Sequence, residues 1–249
     1  MYEGKSCTFI IFDRVYSESL NIKVMYHQGT LLIYLLSYTM IFIFTWLSKS
    51  NNSNRLFDEK GEPAKDTGNL IGLHIGGIIL LGLLPLFILN RSFNELLYNP
   101  GVTTTALLLS FACLFLLIII TGFRAGSRIQ IKDAGIHVFS NRFLIEYFAV
   151  RILFLSSYEL FFRGLLLFDC IKWFGNITAI VLTTLLTVLI HLFTNKKEMW
   201  ACVPFGIILS IFCIAVNAVW PAVLLHIALS MAYEVPVVTN YLTKLKPAK

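Results

Sequence analysis

Charged residues are scarce in this sequence. They make up 14% of the 249 residues, whereas soluble domains carry about 25%. Hydrophobic residues reach 57%, and the mean hydropathy is +0.76. This composition excludes an ordinary soluble domain and indicates a polytopic membrane protein.

Several motifs that would mark other kinds of site are also missing. The five cysteines form no CxxC or CxxH pair, which argues against a structural zinc site and favours small buried side chains. The sequence has no HExxH, the zinc-protease signature, and no GxSG surrounds Ser156 or Ser157, which argues against a serine intramembrane protease. No inverted repeat of the kind found in transporters is visible.

The basic residues lie in loops between apolar segments, so the net charge of +6 does not indicate nucleic-acid binding. Lys and Arg concentrate in one set of alternate loops, which the positive-inside rule places in the cytoplasm together with the C-terminus. The larger set comprises Lys49, Arg55, Lys60, Lys65, Arg124, Arg128, Lys132, Arg142, Lys196, Lys197, Lys244, Lys246 and Lys249, and the smaller set Lys5, Arg14, Lys23, Arg91 and Lys172.

Seven segments are apolar enough to span a membrane, for which about 20 residues are needed. The last two are short and are expected to be tilted or partly re-entrant. Residues 1–29 are assigned to an interfacial helix or a poorly inserted eighth span. The prediction is one all-α membrane domain over residues 1–249, with seven to eight spans. The segments cover about 30–47, 69–90, 104–122, 147–171, 176–193, 200–217 and 219–236.

Two polar segments between the spans are predicted to lie outside the membrane. Residues 48–68 contain Gly61-Glu62-Pro63 and read as a solvated loop. Residues 124–142 alternate apolar and polar positions around an Asp-Gly turn, which predicts a small extramembrane hairpin.

Two charged residues stand in the middle of an apolar segment. Glu159 and Arg163 are four residues apart, so they share one face of a helix and can neutralise each other. Charged side chains in hydrocarbon cost at least about 2.5 kcal/mol unless they pair or face a wet cavity. Such residues are functional candidates, and the alternative is an ion pair that only holds helices together.

Two histidines and a serine extend this set. His191 lies near the end of the fifth predicted span, and His226 lies in the seventh with Ser230 one turn later. A tight turn at 172–176 makes spans four and five antiparallel, so Tyr158 and His191 should lie at similar depth. We expect the polar residues to converge on one cavity. There a carboxylate and an imidazole would deprotonate water, and a second imidazole with a hydroxyl would stabilise an oxyanion.

The same residues carry a resemblance to a known family. The run YELFFRG at 158–164 resembles the EExxxRG motif of the CAAX-protease and bacteriocin-processing family (CPBP, also called Abi). His191 resembles the histidine of its FxxxH motif, and His226 with Ser230 resembles its HxxxN motif. The resemblance covers roughly residues 143–236, the expected catalytic core.

The resemblance implies a helical intramembrane endopeptidase that uses a glutamate and histidines. Glu159 would activate water together with His191, and Arg163 would orient Glu159. His226 and Ser230 would stabilise the oxyanion.

The sequence departs from the family motifs at three positions. Tyr158 stands in place of the first glutamate, Thr187 in place of the aromatic, and Ser230 in place of the final amide. Tyr158 is assigned to substrate contact. Because the family's first glutamate is usually the general base, the alternative is a catalytically silent protein, an immunity or regulatory partner of another membrane protein.

The resemblance also implies partners and a location. The substrate would be a peptide or membrane protein, prenylated in the eukaryotic members, and the setting a lipid bilayer, most simply the bacterial cytoplasmic membrane. No cofactor is expected, although Glu159, His191 and His226 would be the ligands if a divalent metal were bound. A proton-coupled transporter is a third interpretation of the buried carboxylate.

Three other polar residues are assigned interfacial or structural roles outside the active site. Arg151 is expected to snorkel to the membrane surface, Glu234 to lie at the interface, and His74 to be structural.

Overall fold

The computed structural model describes residues 6–48, 55–97, 104–131, 139–193 and 196–245. Within these ranges the chain forms eight helices, which confirms the predicted all-α membrane bundle. Two of them contain a π-helical segment, Ile78–Leu83 in α2 and Leu160–Leu166 in α5. The helices are α1 Ser6–Ser48, α2 Thr67–Ile88, α3 Phe93–Leu97, α4 Thr105–Ser127, α5 over residues 141–174, α6 Asn176–Phe193, α7 Lys196–Val216 and α8 Trp220–Leu245.

Six helices in the described ranges are long and apolar enough to cross a membrane: α1 from His27 onward, α2, α4, α6, α7 and α8. The remaining predicted span, 147–171, lies inside α5. Its helix is long, but Arg151, Glu159 and Arg163 lower its hydropathy. Exposed Leu and Phe side chains along these helices give the bundle the apolar outer surface that lipid requires.

The two ends of the chain differ from their predicted form. Residues 6–29 continue without interruption into the first span, as part of α1. The last two spans are continuous helices and not re-entrant segments. α8 runs through Pro236 to Leu245 because Val237, Val238 and Tyr241 are buried beyond the proline.

The segment after α1 is packed against the bundle, contrary to the predicted solvated loop. Leu56, Phe57 and Ala64 are buried, and the Phe57 ring lies 5.2 Å from the ring of Tyr241 at the end of α8. These apolar side chains make burial more favourable than hydration. Residues 55–66 therefore cap one end of the bundle, and we call them the cap segment.

The predicted hairpin at 124–142 is not formed in its described part. α4 continues to Ser127, and residues 129–131 are not in a strand. Residues 132–138 lie outside the described ranges.

The predicted turn at 172–176 is confirmed. α5 ends at Phe174, Gly175 has a φ of 80°, and α6 begins at Asn176. This left-handed conformation favours glycine, and it reverses the chain so that α6 returns alongside α5. The return places His191 beside the middle of α5.

α8 is held against α4 by glycines. A Cβ at Gly122 would lie 3.0 Å from that of Ala232, and one at Gly126 would collide with the backbone of Tyr233. The small-xxx-small spacing lets the two backbones approach closely, as in many membrane helix pairs. This contact fixes the position of the helix that carries His226.

Candidate active site

The candidate site begins where α5 changes from α-helix to π-helix. Glu159 is the last residue of the α-helical part, and Arg163 lies in the π-helical segment. Both side chains are fully buried, and Arg163 Nε lies 3.5 Å from Glu159 Oε2. The two groups form an ion pair, too long for a good hydrogen bond. Single π-helical turns within α-helices are frequent at functional sites.

Glu159 also contacts a histidine from another helix. Its Oε1 lies 2.5 Å from Nδ1 of His226 on α8. Because the carboxylate takes Nδ1, the ring presents Nε2 to the space beyond it. The His226 side chain is 20% exposed, whereas that of Glu159 is 1% exposed. Only the histidine of this pair is accessible to a substrate.

A threonine on α6 links the ion pair to the other histidine. Arg163 Nη1 donates to the Thr187 hydroxyl at 3.1 Å, and Nδ1 of His191 lies 2.9 Å from the Thr187 carbonyl oxygen. Thr187 stands in place of the family's aromatic residue, and nothing in the sequence indicates that its hydroxyl binds Arg163. Gly206 on α7 leaves room for the guanidinium, since a Cβ there would lie 3.0 Å from Nη2.

Tyr158 lies between the two histidines. Its ring centroid is 5.7 Å from that of His226 and 6.4 Å from that of His191, edge-on in both pairs. The family's first carboxylate would extend from this backbone position. In this chain the position holds an aromatic wall instead.

Tyr158, His191 and His226 line a cavity of about 450 Å³. Glu159, Arg163 and Ser230 are not among the lining residues. Charged residues of the cap segment, of α5 and of the first turn of α7 line the cavity. The charged lining residues are Arg55, Asp58, Glu59, Lys60, Glu62, Arg151 and Glu198.

One comparison with known proteins found a match. Residues 140–232 match the family of type II CAAX prenyl endopeptidases described as Rce1-like. This segment is similar to the Rce1-like family. It contains α5, α6 and α7 and the first half of α8, and with them every residue of the Glu159–His226–His191 arrangement. No curated protein and no solved structure gave a significant match to the chain.

Ser230 does not face the two histidines of the Rce1-like segment. Its hydroxyl donates to Oε1 of Glu234 at 2.9 Å, one turn further along α8. Glu234 also accepts from Tyr147 at 2.5 Å and from Arg151 Nε at 3.1 Å. Arg151 in turn contacts His74 on α2, at 2.9 Å between Nη1 and Nε2. We call these five residues the Glu234 cluster.

The Glu234 cluster corrects two assignments. Arg151 does not snorkel and Glu234 is not interfacial, because their side chains are only 8% and 6% exposed and pair with each other. His74 is buried, as a structural histidine would be, and its Nδ1 lies 2.6 Å from the Leu70 carbonyl oxygen. His74 and Arg151 also line the cavity, so the cluster forms one of its walls.

The candidate metal ligands do not form a metal-binding group. Among the described residues, no three His, Cys, Asp or Glu side chains are placed to hold an ion together. Glu159 Oε1 and the Nδ1 atoms of both histidines are occupied by protein partners.

Proposed function

We propose that this protein is an intramembrane endopeptidase of the CAAX-protease type. The observation that carries the proposal is that two histidines face one cavity with opposite partners at Nδ1. His226 has a carboxylate there, and His191 has a backbone carbonyl oxygen. The two rings are thereby suited to two different roles in one hydrolysis, activation of water and stabilisation of the oxyanion.

His191 is suited to deprotonate water. Its Nδ1–H donates to the Thr187 carbonyl oxygen at 2.9 Å, so the neutral ring carries its lone pair on Nε2. A water between Nε2 and the scissile carbonyl would transfer a proton to the ring as its oxygen attacks the carbon. The same proton then goes to the amine nitrogen as the C–N bond breaks.

His226 is suited to stabilise the oxyanion. The Glu159 carboxyl group at Nδ1 holds the ring with Nε2 toward the cavity, where an Nε2–H would donate to the developing negative charge. Arg163 forms an ion pair with Oε2 of Glu159, on the side away from His226, and donates a hydrogen bond to the Thr187 hydroxyl. Ser230 has no part in stabilising the oxyanion in this proposal, since its hydroxyl donates to Glu234.

The substrate we propose is a peptide segment that reaches the cavity from the charged end of the bundle. The cap segment, the start of α7 and the end of α8 lie at this end, which also carries the Lys- and Arg-rich loops. We infer that it faces the cytoplasm of a bacterial cell and that the C-terminus lies on the same side. A prenylated substrate would place its lipid chain in the surrounding bilayer.

The test compares His→Gln variants of the purified protein in proteoliposomes. The substrates are a farnesylated peptide ending in a CAAX sequence and a library of unmodified peptides. We expect His191→Gln and His226→Gln each to lower cleavage by about 10²-fold or more. His27→Gln is the matched control, because His27 is exposed, lies against Trp173 and does not line the cavity. Wild-type rates in both site variants would refute the proposal.

Tyr158 favours a second candidate, a catalytically silent protein that binds a partner in the membrane. The residue fills the position of the family's general base with a side chain that is only 4% exposed. The silent protein would cleave none of these substrates, and His191→Gln and His226→Gln would still co-purify with the same membrane partner as the wild type.

A further inference from the structure

The loss of the first motif glutamate leaves the proposed water-activating histidine without a carboxylate from α5. Tyr158 occupies that position, and Glu159 is turned away from the cavity. One Glu159 oxygen contacts His226 and the other faces Arg163, and the residue has no exposed surface. A water in the cavity therefore does not reach Glu159.

Another carboxylate enters the same cavity from a different helix. Glu198 lies in the first turn of α7 and lines the cavity together with His191 and His226. Its side chain is 23% exposed, and the 3₁₀ turn His191–Phe193 at the end of α6 packs against α7. It combines access to the cavity with proximity to the proposed base.

Glu198 is held in place by the cap segment. Arg55 Nη1 lies 2.6 Å from Glu198 Oε1, and the Arg55 guanidinium stacks on the ring of Tyr233 at 5.4 Å. Loss of hydration lowers the pKa of Arg55, but the carboxylates of Glu198 and Glu234 outweigh this effect and raise it. Arg55 therefore remains charged, and its ion pair fixes Oε1 of Glu198 in the lining of the cavity.

We propose that Glu198 supplies the carboxylate that acts on the attacking water. In this chain that carboxylate comes from α7, whereas the family motif places it on α5. This inference rests on the proposed function. Glu198 Oε2 would accept one hydrogen of the attacking water while His191 Nε2 takes the other proton. The water oxygen bonds to the carbonyl carbon, and the proton on His191 passes to the leaving nitrogen. The proton shared with Glu198 leaves with the product carboxyl group, so the glutamate ends each cycle ionised.

The competing explanation is structural, because the Arg55–Glu198 pair also ties the cap segment to α7. The pair can be broken from either side. If it only pins the cap segment, removal of either partner should have the same effect. If Glu198 works on the water, its loss should be far more damaging than the loss of Arg55.

The test measures cleavage by wild type, Glu198→Gln and Arg55→Gln in the proteoliposome assay with the farnesylated CAAX peptide and the peptide library. We expect Glu198→Gln to lower kcat by about 10²-fold or more, and Arg55→Gln by less than about 10-fold, with equal shifts in melting temperature. Equal losses of kcat in the two variants would overturn the inference in favour of a structural pin.

Tyr158→Glu provides a second, independent readout. A carboxylate at position 158 would lie beside both histidines, so the double variant Tyr158→Glu/Glu198→Gln should regain at least about 10-fold over Glu198→Gln. A double variant no better than Glu198→Gln would overturn the inference. If the wild type cleaves neither substrate, the proposed function fails and the inference fails with it. If the wild type cleaves and Glu198→Gln cleaves equally well, only the inference fails.

Discussion

Two buried carboxylates lie close to the same cavity, and they differ in how completely their oxygens are paired. Glu234 accepts from Tyr147, Arg151 and Ser230. Glu159 contacts His226 through Oε1, while its Oε2 makes no hydrogen bond. A fully paired buried network mainly fixes a structure, whereas an unpaired buried polar atom needs another explanation, of which a catalytic role is one. By this comparison Glu234 belongs to a structural wall of the cavity, and Glu159 belongs to the candidate active site.

The largest expected effect is on folding, in the fully paired network. Glu234→Ala leaves Arg151 buried without its carboxylate, and breaking a buried pair costs about 3–5 kcal/mol. Reversible unfolding in detergent would measure this loss. The control is Glu146→Ala, since Glu146 pairs with Arg142 on the exposed face of α5, and such surface pairs contribute at most about 1 kcal/mol. Equal losses in the two variants would contradict a stabilising role for the Glu234 cluster.

The second effect is on catalysis, in the incompletely paired network. Glu159→Gln keeps a hydrogen-bond acceptor for His226 but removes the negative charge beside its ring. We expect cleavage per folded molecule to fall about 10²-fold, or about 2.7 kcal/mol of activation free energy. Folding stability should fall as well, because Arg163 is left buried without its carboxylate. Activity, and not stability, therefore separates the two variants. Normal cleavage by folded Glu159→Gln protein would reverse the comparison.

The smallest effect concerns Ser230, which the family motif assigns to the oxyanion and the structure places beside Glu234. Ser230→Ala should reduce the free energy of unfolding by about 1.5 kcal/mol, as expected for a hydrogen bond to a charged group, and should change cleavage less than about 3-fold. Ser110→Ala on the exposed face of α4 serves as the control. A loss of cleavage above about 10-fold at unchanged stability would return Ser230 to the oxyanion site.

Local helix geometry was enough to predict part of the site. The spacing of four residues predicts that Glu159 and Arg163 share a face, and the turn near Gly175 predicts that His191 returns beside α5. The partner of His226 was harder to predict, because α8 is adjacent to α5 in space but not in sequence. Only the packing of α8 against its neighbours decides which side chain its histidine meets.

The Glu234 cluster was missed although the sequence contained a signal for it. His226, Ser230 and Glu234 recur every four residues, so they lie on one face of a helix. The predicted span ends at residue 236, which places Glu234 near the membrane surface. A proline removes only one backbone hydrogen bond, and burial of Val237 and Tyr241 beyond it sustains the helix.

The cap segment shows the same limit of sequence reasoning. Residues 55–66 contain many polar positions, so their composition predicts solvation. Leu56 and Phe57 are nevertheless buried against α8 and α5, because two apolar side chains are enough to dock a short segment when a hydrophobic surface is available. That surface is formed by the ends of distant helices and is not visible in the segment itself.

The π-helical segment Leu160–Leu166 also constrains how this sequence can change. A π-helical turn holds one residue more than an α-helical turn would, in the manner of a single inserted residue absorbed without a loop. Deleting one residue from the segment would restore a regular α-helix and leave the helix beyond it in register, because the extra residue is confined to the wide turn. Asp169, which binds Tyr34 and Arg91 at the far end of α5, would keep its partners. A one-residue deletion is therefore expected to be tolerated better here than in the regular parts of α5, where it would rotate all that follows by about 100°.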